Sequence, residues 1–271
     1  MILPAGQPRD APLLEGSGVT KYFGAITALS DVTFRLERGE VLGVVGDNGA
    51  GKSTLMKILS GLYAPSEGHL LFEGRPVRFS SPRDARAHGI EMVYQDLALA
   101  GNMPIFENIY LGREPGRRVL GLNIIDRKLA RDMAAAHLER LKIHVKSVDQ
   151  NVEELSGGQR QAVAIARATA FDARIVIMDE PTAALAIKEV GKVLDLIRSL
   201  KDHGVSVVLI SHRMDDVFYV CDRVMALFHG RNFAEAPLAA TSRNEVIGWI
   251  MGTKDHTGAL AHDQVRHGTQ A

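Results

Sequence analysis

The chain has 271 residues, enough for one large or two small domains, and 46% of them are hydrophobic, which is ample for a buried core. Its 32 basic and 32 acidic side chains cancel to a formal net charge of zero, so a general electrostatic attraction to nucleic acid is not indicated. Cys221 is the only cysteine, no apolar run approaches the roughly 18 residues of a membrane span, and the amino terminus lacks a secretory pattern; a soluble chain in a reducing compartment is expected.

In chain order, residues 1–12 are rich in proline and polar groups and read as a loose lead-in. From 13 to 35 apolar residues recur near period two, including Leu29, Val32 and Phe34, which predicts short antiparallel strands. Lys21-Tyr22-Phe23-Gly24 sets an aromatic pair among them. Phe23 has two readings here: a ring stacked on a nucleotide base, or a hairpin aromatic packed into the core.

The run Val41-Leu42-Gly43-Val44-Val45 delivers the chain to Gly46, Asp47, Asn48, Gly49, Ala50, Gly51, Lys52, Ser53 and Thr54, and the helical stretch Leu55-Met56-Lys57-Ile58-Leu59 follows. Strand, glycine loop and helix in that order are the setting of a G-x-x-x-x-G-K-[ST] phosphate loop. The glycines let backbone N–H groups line a concavity for a polyphosphate. The helix opening adds unsatisfied amides and a positive dipole end. Lys52 is placed to reach β- and γ-phosphates, and Ser53 to offer its hydroxyl to Mg²⁺, so ATP and Mg²⁺ are the expected ligands.

That helix is expected to stop at Gly61. A turn at 65–68, a hairpin-like pair through 69–75, a short helix over 82–88 and a strand at 90–94 come next. Gln95, just past this strand, could reach a metal ion or an attacking water, because ligands collect at the carboxyl ends of parallel strands; it could also be a plain loop residue. From 97 to 152 helical segments replace strand periodicity, at 105–111 and 126–142. The second is N-capped by Asp126, with Leu129, Met133, Leu138 and Leu141 toward one face. Between them, 112–118 is a charged loop, either a solvated connector or a contact for a partner or anionic lipid headgroups.

Leu155-Ser156-Gly157-Gly158-Gln159 opens a helix over 160–170 and forms a second helix start with the chemistry of an anion site. The continuous apolar run 174–178 suits a parallel strand covered on both faces, and it carries Asp179 and Glu180 to the carboxyl end of a sheet. Asp179 could hold Mg²⁺ through water, and Glu180 could polarise the attacking water as general base. A helix over 187–203 crosses to a strand at 205–210 in a right-handed βαβ unit. That strand ends in Ser211-His212, whose neutral imidazole could bond a γ-phosphate and orient water. A strand pair around His229-Gly230-Arg231 and a helix over 242–251 finish the pattern. Residues 254–271 are polar and aperiodic, and they are expected to be disordered, with no recurring metal-ligand spacing among their histidines.

The phosphate loop, Gln95, Leu155-Ser156-Gly157-Gly158-Gln159, Asp179-Glu180 and His212, in that order, resemble the ATP-binding cassette ATPases over about residues 13–253. The Leu-Ser-Gly-Gly-Gln signature separates that family from other P-loop NTPases. The resemblance implies an α/β fold: a P-loop core with a mixed sheet, an antiparallel β subdomain, and an inserted helical subdomain over about 97–165. It implies a head-to-tail homodimer, each ATP lying between the phosphate loop of one copy and Leu155, Ser156, Gly157, Gly158 and Gln159 of the other. It assigns Phe23 to base stacking, Lys52, Gln95, Glu180 and His212 to catalysis, and Ser53, Gln95 and Asp179 to the metal.

Ile105-Phe106-Glu107-Asn108, Glu180-Pro181-Thr182-Ala183-Ala184-Leu185 and Ser211-His212-Arg213-Met214 look like the monosaccharide-import branch that serves ribose, xylose and fructose. Its single-cassette fructose importers are the nearest guess. The partners this implies are integral membrane permease subunits and, indirectly, a periplasmic sugar-binding protein, with no nucleic acid, at the cytoplasmic face of the inner membrane. Cassette ATPases of export, DNA repair or translation are the alternatives. Ala186 departs from the general pattern, standing where many cassettes place an aspartate that faces the partner subunit.

Overall fold

The computed structural model describes residues 11–119 and 122–253. The tail at 254–271 and residues 1–10 of the lead-in lie outside the described residues. The described chain starts in a long antiparallel hairpin, β1 (Leu14–Phe23) and β2 (Ile26–Leu36), which turns through Gly24 at φ 59°. These strands outrun the short ones that local periodicity predicts, because register shifts between Gly16 and Tyr22 break the alternation without ending the pairing. β3 (Val41–Val45), buried along its whole length, leads into α1 (Lys52–Leu59). β4 (Glu67–Phe72) and β5 (Arg75–Val77) extend the hairpin to a four-stranded antiparallel sheet of order β2-β1-β4-β5. α2 (Pro82–Ala87) then connects to β6 (Ile90–Val93).

The segment from 97 to about 165 holds α3 (Ile105–Tyr110), α4 (Arg127–Arg140) and the start of α5 (Gly157–Thr169), together with a small hairpin, β7 (Gly116–Val119) and β8 (Leu122–Ile125). The hairpin corrects the expected charged loop over 116–118, while 112–115 is irregular as expected. Its strands are too short to show alternation, and the β-branched residues Ile124 and Ile125 supply the extended preference. The expected apolar face of α4 is corrected as well. Ala130, Ala134, His137, Leu138 and Leu141 are buried, whereas Leu129 and Met133 stand 44% and 41% exposed. The small alanines let neighbouring helices approach on that side, so close packing outweighs the larger side chains.

β9 (Ile175–Asp179), α6 (Ile187–Asp202), β10 (Ser206–Ile210), α7 (Met214–Val220), β11 (Arg223–Phe228), β12 (Arg231–Pro237) and α8 (Arg243–Ile250) complete the order. The main sheet runs β12-β11-β3-β10-β9-β6, parallel throughout except for the antiparallel edge strand β12. Helix α7 is not among the elements that periodicity predicts; its first turn carries Asp215 and Asp216, the acidic signal that marks a helix start.

Both faces of the main sheet are covered, which is why its strands read as unbroken apolar runs. Ile175, Ile177, Val208 and Ile210 face α1 and the antiparallel sheet, while Val176, Met178, Val207 and Leu209 face the layer of α3, α4, α5 and α6. Leu55, Met56, Ile58 and Leu59 of α1 lie between the two sheets. Burying each contributes about 1.5–3 kcal/mol, so the helix that follows the loop 46–54 is firmly anchored. Among the described residues, no helix is long and apolar enough to cross a membrane.

Candidate functional site

Register across the main sheet brings the sequence motifs to one edge. Val44, Ile210 and Asp179 sit level on the adjacent strands β3, β10 and β9, and Val93 of β6 faces Met178. Two residues past Val44 the chain reaches Gly46, two past Ile210 it reaches His212, and two past Val93 it reaches Gln95. This carboxyl edge is where a parallel sheet receives ligands.

The loop 46–54 has a backbone only glycine tolerates. Gly46, Gly49 and Gly51 have φ of 152°, 82° and 100°. A β-carbon on Gly46 would lie 2.4 Å from the Leu227 carbonyl oxygen, and one on Gly51 would lie 2.8 Å from that of Ala28. Close backbone approach therefore holds the loop against β11 and β2. Asp47, Asn48 and Gly49 are exposed, as is Ser53 in the first turn of α1. Lys52 reaches back over the loop, its Nζ donating to the carbonyls of Gly46 at 2.8 Å and Asp47 at 2.9 Å. Burial lowers the Lys52 pKa from its usual value, opposed by the nearby carboxylates of Glu180, Asp47 and Asp179.

Asp179 ends β9 half-buried, and its pKa is raised, first by desolvation and then by the charge of Glu180. Glu180 follows in the left-handed region at φ 49°, its N–H donating to Ile210 O at 2.9 Å. Its Oε1 meets two groups of one residue, the His212 N–H at 3.0 Å and His212 Nδ1 at 2.8 Å. Its Oε2 is buried and receives no hydrogen bond from the protein. Asp179 and Glu180 thus set two carboxylates near the Lys52 ammonium. The buried, unpartnered Oε2 of Glu180 fits a site that receives a polar or cationic group from outside the chain.

Gln95 is exposed two residues past the end of β6, whose last residue Val93 pairs with Met178. The segment after it is fixed from two sides. Arg167 of α5 donates to the carbonyls of Leu97 at 2.6 Å and Ala98 at 2.7 Å. Asn108, fully buried on α3, accepts from Ala100 N–H and donates to the carbonyls of Ala100, Met103 and Pro104. Asn108 carries no local signal of this role, since nothing near it in sequence distinguishes a structural asparagine from a surface one. Phe23 is 40% exposed on the hairpin end, edge-on to Tyr63 with ring centroids 5.3 Å apart and Lys21 Nζ 5.4 Å from its ring. At that exposure Phe23 is not a core side chain.

The helix start expected as a second anion site is a capped terminus with no hydrogen bond to the loop 46–54. Ser156 caps α5 in a capping box: its hydroxyl accepts from Gln159 N–H at 3.3 Å while Gln159 Oε1 accepts from Ser156 N–H at 3.1 Å. None of the hydrogen bonds among the described residues joins Ser156 or Gln159 to the loop 46–54. The neighbour of this helix start is instead the first turn of α6. A β-carbon on Gly158 would lie 2.8 Å from Glu189 Cβ, and one on Gly157 would lie 3.3 Å from Glu189 Oε2. The Ser156 hydroxyl and the Gly158 N–H hold the Glu189 carboxyl below its ordinary pKa. Ahead of it, Ala186 caps α6 without a side-chain bond, and Ile187 is 89% exposed.

A profile of the ABC transporter family matches residues 29–183. The chain is 47% identical over 219 residues to the xylose/arabinose import ATP-binding protein XylG of Sulfolobus acidocaldarius, covering 81% of this chain and 86% of that one. It is 44% identical over 248 residues to the fructose import ATP-binding protein FrcA of Rhizobium meliloti, covering 90% and 95%. A ribose import ATP-binding protein of Streptomyces coelicolor is also 44% identical, but this chain spans only 47% of it. Among solved structures, the ADP conformation of MJ1267, an ATP-binding cassette of an ABC transporter, superimposes with a TM-score of 0.76 at 28% identity, over 89% of this chain and 95% of that one. A dimeric, post-hydrolysis cassette bound to ADP and Pi, MJ0796, gives a TM-score of 0.68 at 27% identity, over 83% and 98%.

Proposed function

The chain belongs to the ABC transporter family as an ATP-binding cassette, and from that premise we propose that it is the ATP-hydrolysing, energy-coupling subunit of a monosaccharide importer. The observation that carries this reading is the convergence of Lys52, Asp179, Glu180 and His212 at the carboxyl edge of three adjacent parallel strands.

In this reading the loop 46–54 cradles the phosphates with its N–H groups, Phe23 stacks on the base, and Lys52 leaves its two carbonyl partners for β- and γ-phosphate oxygens. Ser53, Asp179 and Gln95 would hold Mg²⁺, which when bound neutralises phosphate charge. Glu180 is the general base. His212 occupies Oε1, so Oε2 is the oxygen left to take a proton from the attacking water. Since the signature residues Leu155, Ser156, Gly157, Gly158 and Gln159 are not joined to the loop of their own chain, they serve the ATP of a second copy, giving a head-to-tail dimer. The dimer docks on membrane permease subunits at the cytoplasmic face of the inner membrane, supplied by a periplasmic sugar-binding protein. The names of the relatives support a pentose or hexose cargo, with fructose the first sugar to assay.

The test is reconstitution with the permease and binding protein in vesicles, measuring Mg²⁺-dependent ATP turnover and uptake of labelled fructose, xylose, arabinose and ribose. Turnover stimulated by one sugar-loaded binding protein is expected. Turnover indifferent to every sugar, or a chain that purifies with ribosomes or DNA, would overturn the transport assignment.

A further inference from the structure

The groups assigned to the attacking water sit on two separate loops, one after β9 and one after β10, and the bond between Glu180 and His212 is exposed on the His212 side, whose side chain is 68% accessible. A second link lies deeper. The Thr182 hydroxyl donates to Asp216 Oδ2, with Thr182 wholly buried and Asp216 2% exposed. Arg213 Nε stands 3.4 Å from the same carboxylate oxygen. Asp216 belongs to the first turn of α7, directly behind His212, and Thr182 lies two residues beyond Glu180. The two loops are therefore clamped twice, once through the reacting carboxylate and once behind it.

The rear clamp bears on a strained backbone. Glu180 is held at φ 49°, an unfavourable conformation for a residue with a β-carbon. It opens a turn closed by Ala183 N–H donating to Glu180 O at 3.2 Å, with Pro181 and Thr182 at the corners. Such strain persists only where the surroundings over-determine it. The Thr182 hydroxyl anchors the far corner to α7, and a helix N-terminus is a favourable place for the Asp216 carboxylate that receives it.

We propose that Thr182 and Asp216 are positioning residues for hydrolysis: their buried hydrogen bond fixes the turn after β9 to α7 and so aims the Glu180 carboxylate, already tied to His212 by Oε1, with Oε2 toward the attacking water. The inference rests on the reading of Glu180 as general base. It assigns the pair no contact with nucleotide, so loss of the bond lowers kcat and leaves ATP binding as it was.

Steady-state ATP hydrolysis and calorimetric ATP binding of the full chain test this, with the unaltered protein as reference. If the reference protein does not hydrolyse Mg·ATP, the proposed function fails before this inference is reached. With turnover in hand, Thr182→Val, which keeps the shape and removes the donor, is expected to lower kcat about 10- to 100-fold with KM and ATP affinity within about twofold. Thr182→Ser, which restores a hydroxyl, is expected to recover kcat to within about threefold of the reference. Should Thr182→Val not fold, Thr182→Cys takes its place, with a smaller loss and the same kcat-only signature. Unchanged kcat in the variant lacking the donor, or equal losses in kcat and ATP affinity that Thr182→Ser does not reverse, would overturn the proposal.

Discussion

His212 supplies both hydrogen-bonding groups that meet Glu180 Oε1, its backbone N–H at 3.0 Å and its ring Nδ1 at 2.8 Å, while Glu180 Oε2 is buried without a protein partner. The two oxygens of one carboxylate are thus chemically unequal. One is held by two hydrogen bonds and fixes direction; the other has no protein partner.

Glu180→Gln retains the shape and removes the base, so kcat is expected to fall about 10²- to 10⁴-fold with ATP binding within a few-fold. His212→Ala removes only the ring bond and leaves the backbone one, so its loss should be smaller. A kcat for Glu180→Gln close to that of the unaltered chain would remove Glu180 from the role of base. Radiometric phosphate release and equilibrium nucleotide binding read the two effects separately.

Glu189 sets its carboxylate beside the signature helix start, against the Ser156 hydroxyl and the Gly158 N–H. In the proposed dimer, a phosphate arriving at this helix start from a second copy meets the Glu189 charge. Glu189→Gln should therefore lower the ATP concentration that dimerises a Glu180→Gln chain by about two- to fivefold, the size of a charge effect at a helix terminus. The gain should shrink as salt is added. Sedimentation across an ATP titration measures it, and an unmoved midpoint counts against the carboxylate as a competitor.

Asn108 satisfies one N–H and three carbonyls of the segment that follows Gln95. Asn108→Ala leaves those groups buried without it, at an expected cost of about 2–3 kcal/mol. For a domain of this size that is a fall in Tm of roughly 5–10 °C. Hydrogen exchange should accelerate first between residues 96 and 104, ahead of the main sheet. Uniform acceleration across the chain would mean that Asn108 supports the fold at large and not this loop.

Glu73, in the turn after β4, pairs with Arg174 just before β9 and with Arg38 just before β3, joining the antiparallel sheet to the main one. The hydrogen bond from Arg174 is the largest cause that lowers its pKa, from 4.5 to about 2. A depressed carboxyl pKa stabilises the fold above the unfolded value near 4.5, and that stability is lost as pH falls through the folded value near 2. With Arg38 half exposed, the contribution is about 1–3 kcal/mol after screening. Denaturant midpoints between pH 5 and pH 2 should fall more steeply for the unaltered chain than for Glu73→Gln, and parallel slopes would assign the acid sensitivity elsewhere.

Much of the candidate site was legible because its chemistry is contiguous. Gly46 through Thr54 carries its own instructions: three glycines that alone accept φ of 152°, 82° and 100°, then a lysine and a hydroxyl at a helix start. Ser156 and Gln159 cap each other within one turn, and Asp179 and Glu180 end an apolar strand that only a doubly covered sheet would bury. These depend on neighbours in sequence, so periodicity and spacing reach them. The buried face of α4 does not yield to the same reading, because alanines and a histidine win it over Leu129 and Met133 once the facing helices are close. The β7–β8 hairpin and α7 escaped for a related reason, being too short to display a period. The bonds from Asn108 to the loop after Gln95, from Thr182 to Asp216, and the placing of Glu189 on Ser156 join residues that acquire meaning only when their elements become neighbours. Local chemistry wrote the phosphate loop and the acidic strand end; packing chose which groups hold them in aim, since a hydrogen bond across 34 residues exists only after the sheet has set their distance.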